Sequence, residues 1–296
     1  MSETLDEIRK KIDAIDNQVH DLFMERASLV SSVAHAKKEK GSQIVQPARE
    51  ANLVRRLLER HSGNLPSKTI VRIWRELISS VSLLQTGLNV VVADDERACN
   101  IYWDMGKNYF GSSVPMKKVK GNQKAISEVL ENRASFAILP WPELDQESPW
   151  WSHLLNSQND ERLSIIVALP YEETGSKDVD TLEKGLVVSK IQFMPSDSDV
   201  SFIALEVNSQ VSRARIKECA EAVGLTVLNL YSGTQAHDTD VKVHLLQVNG
   251  FVDQTSDKVI AVQKELGSDA QYCQTLGGYP VLPDIYSITG GQEAPE

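Results

Sequence analysis

The sequence predicts an α + α/β chain: three helices over residues 1–86, then a region in which strands and helices alternate. Two observations carry that expectation. Residues 3–40 contain neither glycine nor proline, and their apolar residues recur at alternating spacings of three and four; from Leu88 onward, short β-rich runs are interleaved with helical stretches.

In the first helix Leu5, Ile8, Ile12, Ile15, Val19 and Leu22 form one seam, and the helix is expected to end at Gly41. At 1.5 Å per residue it is about 57 Å long, so its seam wants a second copy of the chain to bury it. A second helix starts near Pro47, since proline suits a first turn, and breaks at Ser62-Gly63-Asn64; a third starts at Pro66 and ends by Gly87. Beyond it LNVVV, SFAILP, LSIIVALP, SFIALEV and VKVHLLQV read as strands, and NQKAISEVLENR and SRARIKECAEAV as helices. The acidic stretches QESPW to QNDER and EETGSKDVDTLEK read as loops or boundaries.

Composition narrows the function. With 296 residues and 41% hydrophobic residues the chain has material for about two domains with real cores. A net charge of -10 argues against non-specific binding to nucleic acid or to an anionic membrane, so any anion must be met by a local cluster of cations. No segment approaches the ~20 apolar residues of a membrane span, and the first residues lack the apolar core of a secretory leader. A cytoplasmic location is expected. Cys99, Cys219 and Cys273 read as buried reduced thiols, Trp150 and Trp151 as core or interface, and His153, His237 and His244 are too scattered for a metal site. No metal or cofactor is expected.

Each helix interrupts its own apolar line with one polar residue. Arg26 follows Leu22 in the first seam, Leu53 and Leu57 lead back in steps of four to Arg49, and Leu77 and Val81 lead forward to Gln85. One such residue alone is a long side chain at a seam edge. Three together, two of them arginines with only Glu25 and Glu50 as immediate acidic neighbours, point to a bound anion. Lys37 lies only about 20° from the direction of Arg26 and ~16 Å further along the axis, so it can face the same way. Arg9 lies ~42 Å from Lys37 along the helix and serves such a site only from another subunit.

The runs IRKKIDAID, MERASLVSSVAHAKK, PARE and IWRELISSVSLLQ resemble the all-helical chorismate mutases over residues 1–86. The resemblance implies an intertwined helical homodimer joined through the N-terminal helices, with chorismate as substrate and prephenate as product. By position, Arg9 resembles the arginine that reaches across the dimer, and Arg26 and Arg49 those that hold the carboxylates. Lys37 and Gln85 resemble the pair that bonds the ether oxygen, and Glu50 the carboxylate that takes the substrate's hydroxyl. Two positions depart from the pattern: Val81 stands where serine is usual, and Gln46 where a carboxylate is common.

A weaker resemblance covers the rest. Residues 87–197, with VPMKKVKGNQKAISEVLENRASFAILPWPE, are similar to a prephenate dehydratase domain shortened in its second lobe, and residues 198–296 to a regulatory ACT domain of βαββαβ order. The dehydratases' Thr-Arg-Phe motif is missing, VADDERACNIYW replaces their opening Gly-Pro-rich loop, and their Glu-Ser-Arg-Pro run has no counterpart. Leu-Gly-Gly-Tyr-Pro remains, with Gly277 and Gly278 expected to set a turn and Tyr279 to pack on the sheet. The expectation is a mutase whose tail lacks dehydratase activity and serves a structural or regulatory role, docking an aromatic-pathway enzyme or sensing an amino-acid effector. A non-catalytic regulatory or scaffold protein and a residual dehydratase remain open alternatives.

Overall fold

The computed structural model describes residues 3–39, 43, 45–94, 99–155, 162–174, 183–235 and 238–285. Three helices come first: α1 (Leu5–Glu39), α2 (Pro47–Arg60) and α3 (Ser67–Thr86). Pro47 occupies the first turn of α2, and α3 stops at Gly87, whose left-handed backbone lets its N–H donate to the carbonyl of Leu83. The seam of α1 is bare in the single chain, with Ile12 51% and Leu22 62% exposed.

A mixed α/β region follows. Its strands are β1 (Val90–Asp94), β2 (Met116–Lys120), β3 (Phe136–Pro140), β4 (Asp145–Glu147), β5 (Ser164–Leu169), β6 (Gly185–Ser189), β7 (Asp199–Asn208), β8 (Thr226–Gln235), β9 (Asp238–Asn249) and β10 (Ala270–Pro280). The helices between them are α4 (Cys99–Phe110), α5 (Asn122–Leu130), α6 (Arg213–Ala222) and α7 (Asp257–Leu266). All ten strands join one sheet in the order β2-β1-β3-β6-β5-β10-β7-β9-β8-β4. From Asp199 to Pro280 the elements run βαββαβ.

Several elements lacked a clear signal in the sequence. Strand β2 reads MKKVK because it is an edge strand with mostly exposed side chains, and the run VADDERACNIYW holds the end of β1 and, from Cys99, the start of α4. A further difference concerns Gly277 and Gly278, which lie within β10 at a bulge and not in a turn. Gly277 has φ +97°, and a Cβ there would strike the backbone of Ile165, with which it pairs across β5 and β10; a Cβ on Gly278 would strike the carbonyl of Val200. At this position β10 pairs with β5 as well as with β7. Tyr279 is buried as expected, its hydroxyl accepting from Gln247 Nε2 at 2.8 Å. Trp150 and Trp151 are core residues.

The helices and the sheet share a core. Ala51, Val54 and Leu58 of α2 and Val71 of α3 cluster with Val90, Tyr102, Phe136 and Ile166. Among the described residues, no helix is long and apolar enough to cross a membrane, and no three potential metal ligands come together. Cys219 is buried and Cys273 half-buried as free thiols, while the side chain of Cys99 and all of His237 lie outside the described residues.

Candidate functional site

A cavity of about 510 Å³ opens where α1, α2 and α3 meet. Arg26 and Val30 line it from α1; Arg49, Glu50, Asn52, Leu53 and Arg56 from α2, with Gln46 just before that helix. From α3 come Ile78, Val81, Ser82 and Gln85. Helix geometry explains the convergence: Arg49 and Arg56 are two turns apart on one face of α2, as Val81 and Gln85 are one turn apart on α3. Six residues marked out in the sequence, Arg26, Gln46, Arg49, Glu50, Val81 and Gln85, thus share one cavity.

Among the described residues, the side chains of Arg26, Arg49 and Arg56 enter no ion pair. Burial draws the Arg26 guanidinium below its ordinary value, a sign that its charge is being removed from water without a local partner. Gln85 donates one amide N–H from Nε2 to the carbonyl of Val30 at 3.2 Å, which ties α3 to α1 and leaves its second N–H for another acceptor.

Glu50 does not answer Arg49. Its Oε2 accepts from Arg75 Nη1 at 2.6 Å, and its Oε1 from the Gln46 backbone N–H at 3.4 Å. Arg75 is 3% exposed, donates from Nε to the carbonyl of Tyr109 at 3.0 Å, and lies 3.8 Å from the centre of the Tyr109 ring. Burial opposes its charge, but Tyr109 and Glu50 more than offset this and hold the guanidinium above its usual value. The pair fixes the Glu50 carboxylate at the floor of the cavity.

One expected residue does not reach the cavity in the single chain. Arg9 is exposed on α1, its Nη1 3.9 Å from Asp6 Oδ1. Lys37 belongs to the backbone of α1, but its side chain lies outside the described residues. Five others had escaped notice: Asn52, Arg56, Arg75, Ser82 and Asp197. Arg56 carried a signal, standing seven residues after Arg49; so did Arg75, a charge one turn beyond buried Val71. Asp197 carried none, because it comes from the loop before β7.

Volume alone would favour another place. A cavity of about 820 Å³ lies beside β8, β9 and β10. There, however, three of the lining side chains bond one another: Trp141 Nε1 donates to the Tyr231 hydroxyl at 2.9 Å, which donates to Gln247 Oε1 at 3.1 Å. Among the described residues, the helical cavity is lined by three arginines that enter no ion pair.

The chorismate mutase type II family matches residues 8–86, the stretch that builds this cavity. A chorismate mutase of Methanocaldococcus jannaschii is 40% identical over 88 residues, which are 29% of this chain and 87% of that protein. The chain belongs to the type II chorismate mutase family. A bifunctional chorismate mutase/prephenate dehydratase of Stutzerimonas stutzeri is 27% identical over 144 residues, 47% of this family member and 39% of the relative. The chain therefore spans about two fifths of the length of that bifunctional relative. Among solved structures, a prephenate dehydratase from Streptococcus mutans is 12% identical, covering 66% of this chain and 99% of that one with a TM-score of 0.41.

Proposed function

We propose that the helical part of this chain rearranges chorismate to prephenate. The observation behind the reading is the trio of unpaired guanidiniums, Arg26, Arg49 and Arg56, around one cavity of about 510 Å³. Chorismate is a dicarboxylate, and its rearrangement is pericyclic, needing no proton transfer, nucleophile, metal or cofactor. Only shape and field can help it. Arg26 and Arg49 hold the carboxylates so that the enolpyruvyl arm lies over the ring, a kind of orientation that supplies up to ~7–11 kcal/mol. Negative charge gathers on the ether oxygen as its bond breaks, and Lys37 with the second N–H of Gln85 stabilises it there. Glu50, anchored by Arg75, accepts the ring hydroxyl. Val81 and Gln46 complete the wall without adding a donor to the ether oxygen.

The working unit in this reading is a homodimer. The bare seam of α1, with Leu5, Leu22 and Leu29 all more than 60% exposed, is covered by the same helix of a second copy, whose Arg9 enters the cavity. The tail is read as structural or regulatory and without dehydratase activity, since no Thr-Arg-Phe occurs in the chain.

A time course of the purified protein with chorismate tests both parts, with products separated by chromatography before and after mild acid, which turns prephenate into phenylpyruvate. Loss of chorismate with phenylpyruvate only after acid is expected. Phenylpyruvate before acid overturns the reading of the tail, and no loss of chorismate overturns the reading of the helices.

A further inference from the structure

One wall of the helical cavity is made by a residue from outside the helices. Asp197 lies 141 residues beyond Arg56 and reaches the cavity from the loop that enters β7. Its backbone N–H donates to Asn52 Oδ1 at 3.3 Å, and Asn52 itself lines the cavity. The loop is held at both ends. Arg55, on the buried side of α2, donates from Nη2 to the Ser198 carbonyl at 2.6 Å and to Ser196 Oγ at 3.0 Å, and from Nε to the Val281 carbonyl at 2.9 Å. On the other flank buried Asp199 accepts from the Ser196 backbone N–H at 2.7 Å and from its hydroxyl at 2.6 Å. The backbone of Asp197 is thus held beside the cavity that the residue lines, and among the described residues its carboxylate forms no ion pair with Arg26, Arg49 or Arg56.

We infer that Asp197, contributed by the sheet-forming part of the chain, is an affinity-setting residue of the helical cavity whose carboxylate weakens the binding of dicarboxylates. The inference rests on the mutase reading for its substrate. Three guanidiniums alone would hold any dianion tightly, product included. A negative charge on the cavity wall lowers that hold for every dianion by a common factor, and because Arg55 ties the loop to α2, the tail sets the backbone position from which that charge acts. A carboxylate acting through charge alone moves KM and product affinity and leaves kcat nearly still, since the dianion keeps its charge through the rearrangement.

The test compares wild type, Asp197→Asn and Asp197→Glu in the full chain, by chorismate kinetics and by calorimetric titration with prephenate, at low salt and at about 0.5 M salt. For Asp197→Asn, KM and the prephenate Kd are expected to fall about three- to tenfold at low salt, with kcat within twofold and the gain shrinking at high salt. Asp197→Glu keeps the charge and is expected to show less than half of the gain in affinity that Asp197→Asn shows. Wild-type turnover with unchanged constants in Asp197→Asn overturns this inference and leaves the mutase reading standing. Tighter prephenate binding by Asp197→Asn in a protein that never turns over chorismate supports the inference and overturns the reaction. Absence of both turnover and binding in every variant overturns both.

Discussion

Arg26 stands where the seam of α1 calls for an apolar side chain, and the structure gives it no anionic partner among the described residues. A cation so placed costs little to remove from the fold and much to remove from an anion site. Arg26→Ala is therefore expected to lower kcat/KM for chorismate by about 10²–10³ while thermal unfolding stays within a few degrees of wild type. A stability shift with unchanged turnover would place Arg26 in a scaffold. Gln85 gives a second prediction. An amide donor needs no protonation, so turnover is expected to stay nearly flat between about pH 6 and 8. Gln85→Glu replaces the donor by a carboxyl that donates only when protonated, so its rate is expected to fall as pH rises through that range. A steep acid optimum in wild type contradicts this role for Gln85.

At the scale of the helices, the pair Arg75–Glu50 joins α3 to α2 beneath the cavity, 2.6 Å apart and almost wholly buried. Arg75→Met leaves Glu50 buried beside an apolar group and the carbonyl of Tyr109 without its Arg75 donor, keeping that of Ser79 Oγ, and is expected to cost about 3–5 kcal/mol, read from denaturant titration. A loss below ~1 kcal/mol would mean that water reaches Glu50. Helix α1 presents the opposite case, an apolar face with nothing against it. Leu22→Asp costs a single chain little, because Leu22 is 62% exposed, but in a dimer it buries a charge in the shared seam. Sedimentation velocity is expected to show a dimer for wild type and a monomer for the variant; a wild-type monomer removes the route for Arg9.

For the whole molecule, acid stability is tied to one buried histidine in the sheet. His244 is 2% exposed, with Nδ1 3.0 Å from Ser232 Oγ and Nε2 unpartnered among the described residues. Burial, reinforced by Arg213 and Lys242, pushes its pKa down to about 4 from the usual 6.5. The unfolded chain binds the proton first, so stability present above pH 6.5 is lost as pH falls towards 4, by roughly 3 kcal/mol in all. Denaturation of wild type and His244→Gln at pH 7 and 4.5 checks this: the variant is expected to lose markedly less stability on acidification. Because α2 and α3 share a core with β1, α4 and β3, the helices and sheet are also bound to one another, and a cut after Gly87 would expose that core.

Helical periodicity is a local property, and so the sequence by itself determined the three helices and the polar residues that interrupt them. Arg26, Arg49, Val81 and Gln85 were legible because each stands in a line set by residues three or four positions away, and Glu50 through its neighbour Arg49 and the family resemblance. Strands β2 and β10 were not, since an edge strand need not alternate and a bulge breaks the alternation. Nor was the partner of Glu50: Arg75 reaches it only after α3 has packed on α2. Asp197 is the extreme case, for its place depends on Arg55 bonding a carbonyl 226 residues away, at Val281. The sequence specified a cation-lined helical site, whereas only the tertiary structure decided which carboxylate Arg75 anchors and which residue of the tail joins the cavity wall, because contacts between distant segments leave no period to read.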